Sequence, residues 1–160
     1  MEYDTPRPRP FRILLVAEND DFIDGLMDWF EDDLEIEIVG RAHTGREATE
    51  RIELFCPNVV LVDAVLPDGS GFELVRTVKD RWPGTVVIMM TFFDRITIRG
   101  EALLAGADDC VSKSDVISRL RSLVRFLVPP RDLVASETGD SSRLSGESRS
   151  TDDQTVPQGE

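Results

Sequence analysis

A chain of 160 residues with a net charge of −13 has the length of one folded domain, or of one domain and a tail. Such a chain can bury roughly two-thirds of its unfolded surface in one core. The acidity is general, with 15 basic and 24 acidic residues up to Pro130 and 3 and 7 beyond it, which excludes the clustered Lys and Arg of a nucleic-acid or anionic-membrane surface.

Residues 1–10 alternate Pro6, Pro8 and Pro10 with Arg7 and Arg9, a composition that predicts an extended, poorly ordered lead-in. Ile13-Leu14-Leu15-Val16-Ala17 is a continuous apolar run, hence a central strand, and the next residue is Glu18. A helix follows, with Asn19 or Asp20 as its cap and Phe22, Ile23, Leu26, Met27 and Phe30 on one stripe. Glu31-Asp32-Asp33 places acids at the end where the helix dipole prefers cations, so that end is expected to fray. Glu35-Ile36-Glu37-Ile38-Val39 alternates polar and apolar, which predicts an edge strand. Thr44-Gly45-Arg46-Glu47 has capping-box spacing and opens a helix carrying Ala48, Ile52 and Phe55, which Pro57 stops.

Val59-Val60-Leu61-Val62 reads as a strand buried on both faces, delivering Asp63 as the chain leaves the sheet. Ser70-Gly71-Phe72-Glu73 is a second capping box, opening a helix with Phe72, Val75, Val78 and Trp82 inward. Thr85–Met90 is another apolar strand, ending at Thr91. The helix predicted over 95–105, capped by Asp94, holds Ile96, Thr97, Ile98 and Gly100 and should be the least rigid. The mixed run Asp109-Cys110-Val111-Ser112 predicts the second edge strand, just ahead of Lys113. Ser114 can cap a last helix whose Val116, Ile117, Leu120, Leu123, Val124 and Leu127 face the core, ended by Pro129-Pro130. From 129 to 160 the chain is rich in Ser, Thr, Gly and acids with few large apolar residues, which predicts a disordered acidic tail.

Cys56 and Cys110 have no metal or disulfide spacing and read as free buried thiols, which fits a cytoplasmic location. His43 is the one histidine, so histidine catalysis has little to draw on. The start shows no signal peptide, and no apolar run approaches the ~20 residues of a membrane span. Five strand–helix units imply an α/β, three-layer, doubly wound five-stranded parallel sheet. All-apolar strands take the centre and mixed ones the edges, giving the flavodoxin-like order 2-1-3-4-5. Ligands bind such a sheet beyond the carboxyl ends of its strands. Glu18, Asp63, Thr91 and Lys113 lie there: two carboxylates, a hydroxyl and an ammonium, a set suited to holding Mg²⁺ and moving a phosphoryl group.

With its Asp-x-x-x-Pro-x-x-x-Gly spacing from Asp63 through Pro67 to Gly71, with Met90-Thr91 and with Ala105-Gly106-Ala107-Asp108 leading to Lys113, the chain resembles the receiver domain of two-component response regulators over residues 11–128. The resemblance implies that Asp63 accepts a phosphoryl group from a sensor histidine kinase or phosphotransfer protein with Mg²⁺. Thr91 and Lys113 then engage the aspartyl phosphate, and Glu18, Asp63 and the backbone carbonyl of Val65 form the metal shell. It also implies a protein target or a second copy bound at the face of the fourth helix, fifth strand and fifth helix, and the acidic charge argues against direct contact with nucleic acid or an anionic membrane. The chain departs from the family pattern in four respects. Ala17 stands where most receivers have a second acid, a loss of the kind that weakens metal sites about 10- to 100-fold. Phe92 replaces a small residue and narrows the access, and Cys110 replaces a switch aromatic. Val65 and Phe93 put no polar group where relatives often orient the hydrolytic water, which implies a long-lived phosphate. Ala17 and Phe92 together define the alternative, a pseudo-receiver that signals without phosphate. A haloacid-dehalogenase-type phosphatase is excluded, because Val65 stands where its second Asp belongs.

Overall fold

A computed structural model describes residues 8–92 and 95–129. Residues 1–7 of the expected lead-in, residues 130–160 of the expected tail, Phe93 and the expected cap Asp94 lie outside the described residues. The main strands are β1 (Phe11–Val16), β2 (Ile36–Ala42), β3 (Val59–Asp63), β6 (Val86–Thr91) and β7 (Asp109–Ser112), and β4 (Val65–Leu66) and β5 (Gly69–Ser70) form a short antiparallel hairpin after Asp63. The helices are α1 (Asp20–Trp29), α2 (Gly45–Phe55), α3 (Gly71–Arg81), α4 (Arg95–Ala105) and α5 (Val116–Leu127). The five long strands pair in parallel in the order β2-β1-β3-β6-β7, which is the expected 2-1-3-4-5 once the hairpin is numbered.

Residue polarity sets that order. Val59, Val60, Leu61 and Val62 are fully buried and serve both faces of the sheet at once. Ile13, Leu15 and Leu61 pack with Ile23 and Leu26 of α1, Phe30 at its C-cap, and Val116, Leu120 and Val124 of α5. Leu14, Val16, Val60 and Val62 pack on the other side with Ala48 and Ile52 of α2, Leu74, Val75 and Val78 of α3, and Ala102 of α4. β2 runs to Ala42, beyond the expected Val39, because the register shifts between Ile13 and Leu14 and lets Gly40 and Arg41 pair despite breaking the alternation.

The caps follow the predicted chemistry with local adjustments. Asn19 Oδ1 accepts the Phe22 amide at 2.9 Å, and Thr44 Oγ1 accepts that of Glu47 at 3.0 Å. Glu47 Oε1 takes the amide of His43, one residue earlier than a capping box requires. Ser70 Oγ accepts from Phe72 at 3.0 Å and from Glu73 at 3.4 Å. Ser114 does not cap the last helix: Asp115 holds that position with no side-chain cap bond, and Ser114 Oγ pairs instead with Ser112 Oγ at 2.8 Å.

Two burial expectations are corrected. Cys56 is a thiol outside any disulfide but exposed, because it leaves α2 in the left-handed conformation at φ 47°, whereas Cys110, also outside any disulfide, is buried. Ile117 points outward, because α5 turns Val116 and Leu120 toward the sheet and the stripe is one residue narrower than the sequence suggests. The acids after α1 also hold structure together. Asp33 Oδ1 accepts the amides of Glu35 at 2.8 Å and Ile36 at 3.0 Å, while its Oδ2 pairs with Arg121 of α5. Glu35 pairs with Arg125 on the same helix.

Gly71 explains the last position of the Asp-x-x-x-Pro-x-x-x-Gly spacing. Its amide donates to Ala64 O at 2.9 Å, and a Cβ there would lie 2.1 Å from Asp63 O. The start of α3 thus rests directly on the backbone of the β3 end. Gly71→Ala is expected to lower stability toward the upper end of the about 1–3 kcal/mol typical of overpacking, read as a lower denaturant midpoint at unchanged slope.

Burial pushes the Asp33 carboxyl up, but the Glu35 amide, the Arg121 guanidinium and the Ile36 amide outweigh it and hold the group below its ordinary value. With the folded value depressed, the contribution is complete above the ordinary carboxylate range and is lost as pH falls through the lowered value. Asp33→Ala is therefore expected to cost about 1–3 kcal/mol near neutrality, with the gap to the unsubstituted chain closing in acid when both are unfolded in denaturant.

Candidate functional site

Because every long strand runs the same way, the carboxyl ends of β1, β3, β6 and β7 share one edge of the sheet. Asp63 ends β3 and is 9% exposed. Its strand is fixed on both sides of the exit: Ala64 N donates to Met90 O at 3.0 Å, and Gly71 N closes on Ala64 O. Asp63 Oδ2 is paired with Lys113 Nζ, and Asp63 Oδ1 lies 3.4 Å from the Val65 amide. The side chains of this pair are 8% exposed at Lys113 and 13% at Asp63. Lys113 N donates in turn to Thr91 O at 2.9 Å, which ties the loop after β7 to the end of β6.

Glu18, Asn19, Asp63, Val65, Phe92 and Lys113 line one open cleft of about 490 Å³. Four of the five predicted site residues meet here, Val65 with its side chain exposed. Thr91, the fifth, is 1% exposed at the last position of β6 and reaches Lys113 through its backbone carbonyl. Phe92 follows it and is 72% exposed, at the wall of the cleft. Cys110 is fully buried among the residues under α2, α3 and α4, so a thiol packs where a movable ring was expected to be missing.

Ala17 is fully buried in the core and its amide is bonded to Ala42 O at 3.0 Å. Two of its polar neighbours are otherwise engaged. Asn19 caps α1, and Asp20 Oδ1 lies 2.5 Å from His43 Nε2, a contact that holds the Asp20 carboxyl below its ordinary value. Glu18 is therefore the carboxylate that shares the cleft with Asp63. Among the described residues no group of three His, Cys, Asp or Glu side chains is disposed to hold a metal. Glu18 and Asp63 nonetheless bring two carboxylates to one cleft, the hard-oxygen chemistry that fits Mg²⁺, an ion commonly bound by one or two carboxylates that keeps several waters or phosphate oxygens.

Two features were not found from the sequence. Lys113 Nζ lies 4.9 Å from the ring centroid of Phe22 and 4.9 Å from that of Phe92. The sequence places Phe22 only on the core stripe, and helical spacing carries no signal for a second duty. Asp68, in the turn of the β4–β5 hairpin, accepts the amides of Gly45 at 2.9 Å and Arg46 at 3.1 Å, and the Gly45 bond leads in holding its carboxyl below the ordinary value. This cap crosses from one loop to the first turn of another helix, so no local motif announces it.

The response regulator receiver domain family model matches residues 13–125. Over 107 residues the chain is 37% identical to the response regulator protein PilR of Pseudomonas aeruginosa, covering 67% of this chain and 24% of PilR. It is 33% identical over 102 residues to the DNA-binding transcriptional activator DevR/DosR of Mycobacterium tuberculosis, covering 64% of this chain and 47% of that protein. The chain thus spans between a quarter and a half of the length of these relatives. The fold matches the receiver domain of NarL from M. tuberculosis at a TM-score of 0.67 and 22% identity, covering 74% of this chain and 98% of that one. It matches the response regulator domain of Thermotoga maritima CheB at 0.66 and 28% identity, covering 76% of this chain and all of that one. Family match, similar relatives and sheet order agree: the chain belongs to the response regulator receiver domains of two-component systems.

Proposed function

We propose that residues 11–128 act as a phospho-accepting receiver in which Asp63 takes a phosphoryl group from a sensor histidine kinase or phosphotransfer protein. The observation that carries the reading is the Asp63–Lys113 pair set in an open cleft beside Glu18. A carboxylate oxygen of Asp63 attacks phosphorus as the P–N bond of the donor phosphohistidine breaks. The ring nitrogen keeps the bonding pair, and the imidazole leaves neutral with a proton on its other nitrogen. Lys113 lies against the accepting carboxylate and offsets charge that builds on the transferred group. Thr91, one residue before the cleft wall, offers the hydroxyl that engages the product. Glu18, Asp63 and the Val65 backbone carbonyl would hold Mg²⁺, whose chemistry is to neutralise phosphoryl oxygens.

The output surface in this reading is α4, β7 and α5. Ile96, Leu103 and Leu104 of α4 and Ile117 of α5 are exposed apolar residues on these elements, a composition suited to a protein target or a second copy. With the chain acidic overall, direct binding to nucleic acid or an anionic membrane is not part of the proposal. Among the described residues no helix is long and apolar enough to cross a membrane. The pseudo-receiver reading rests on one observation, that Ala17 is core and leaves Glu18 as the sole carboxylate beside Asp63 in the cleft.

Incubation with Mg²⁺ and a small-molecule phosphoryl donor is expected to add one labile phosphoryl group by intact mass, lost in Asp63→Asn. Lys113→Ala is expected to slow its formation by about 10²- to 10³-fold, the scale on which loss of one charge-stabilising donor is felt. No adduct in the unsubstituted chain, together with no measurable Mg²⁺ binding, would favour the pseudo-receiver. Val65→Asn is expected to shorten the life of the adduct, followed as loss of the added mass after the donor is removed.

A further inference from the structure

We propose that Phe22 and Phe92 are positioning residues that act through Lys113, holding its ammonium against Asp63 by cation–π attraction. Lys113 Nζ lies within the roughly 6 Å cation–π range of both rings, at 4.9 Å from each centroid. The two rings come from separate elements, Phe22 from the first turn of α1 and Phe92 from the residue after β6. The Lys113 side chain is 8% exposed, so the ammonium has given up most of its water and exchanges it for one carboxylate and two aromatic faces. Phe92 is 72% exposed, so core packing does not account for an aromatic residue at this position. Lysine is a long stem that loses much rotamer freedom when fixed. A carboxylate alone constrains one direction of the ammonium, and the two rings add constraints from other elements.

A plain access barrier at Phe92 makes a different prediction. A barrier depends on bulk, so leucine would preserve it and alanine would relieve it. The cation–π role depends on the aromatic face, so leucine removes it and tyrosine keeps it. Phe92 is exposed, so its substitution leaves the core intact, and Phe22→Leu provides the second ring. The chain has two lysines, Lys79 and Lys113, so ¹⁵N-lysine labelling yields two side-chain ammonium signals, and Lys113→Arg assigns them.

In the full chain, the Lys113 ammonium protons are expected upfield of those of Lys79 from the ring currents, and Phe92→Leu is expected to move them downfield while Phe92→Tyr does not. With Mg²⁺ and a small-molecule phosphoryl donor, Phe92→Leu and Phe22→Leu are each expected to slow adduct formation about tenfold, Phe92→Tyr to restore it, and Phe92→Ala to be no faster than the unsubstituted chain. The rate arm rests on the proposed phosphorylation of Asp63, whereas the spectral arm does not. Absence of any adduct in the unsubstituted chain would therefore overturn the phosphorylation reading and leave the ammonium signal to decide the contact. An ammonium signal unmoved by Phe92→Leu overturns the proposal. A moved signal with an unchanged rate overturns the positioning role, and Phe92→Leu matching the unsubstituted rate while Phe92→Ala exceeds it assigns Phe92 to access instead.

Discussion

The contact on which the cleft depends is the pair between Asp63 and Lys113, each shielded from water by elements far apart in the sequence. Removing two charges from water costs several kcal/mol per ion, and their mutual attraction only offsets this when geometry and neighbours are favourable. Such a pair is weak evidence for stability but expensive to break, because the surviving charge is left buried and unmatched. The surrounding backbone bonds therefore matter as much as the pair. Ala64 to Met90, Gly71 to Ala64 and Lys113 to Thr91 fix the three chain segments whose ends meet in the cleft. Gly71 is the tightest constraint among these, since any Cβ there would enter the Asp63 carbonyl.

How much of this could be read beforehand depended on whether a feature was local. The doubly buried runs at Ile13–Ala17, Val59–Val62 and Val86–Met90 announced central strands because a parallel sheet covered by helices leaves no polar face. The alternating strand at Ile36 and the mixed one at Asp109 announced the edges for the converse reason. Asn19, Thr44 and Ser70 announced helix starts because a cap is satisfied within three residues. The meeting of Glu18, Asp63 and Lys113 in one cleft was legible because topology brings the strand ends together without any knowledge of side-chain contacts.

Interactions that span the chain were not legible. The Asp68 carboxylate capping α2 and the Asp33–Arg121 pair join positions 22 and 88 residues apart, and nothing in either segment's composition points to the other. The β4–β5 hairpin holds two residues on each side, too short for any alternation to register. Cys56 and Ile117 were misplaced because both sit at helix ends, where one residue of rotation exchanges core for solvent. Phe22 shows a further limit. Its place on the apolar stripe was correct, yet the same ring also reaches an ammonium delivered by β7, a duty that periodicity cannot encode.

The same geometry separates the two sides of the cleft by how they handle charge. On the Lys113 side the positive charge belongs to the protein and is held by a carboxylate, two rings and a backbone bond to Thr91. On the Glu18 side the protein contributes a carboxylate and, in the proposed reading, a bound ion would supply the positive charge; the adjacent position that could add a second carboxylate is Ala17, packed into the core with residues of α1 and α5. An acid there would have to leave the apolar cluster or ionise within it, and an unpaired buried carboxylate is costly. The chain's departure from two acids is thus written into its packing as well as its sequence. In the proposed reading such a site leans on its fixed cation, so the fidelity with which Lys113 is held would count for more here than beside a second carboxylate.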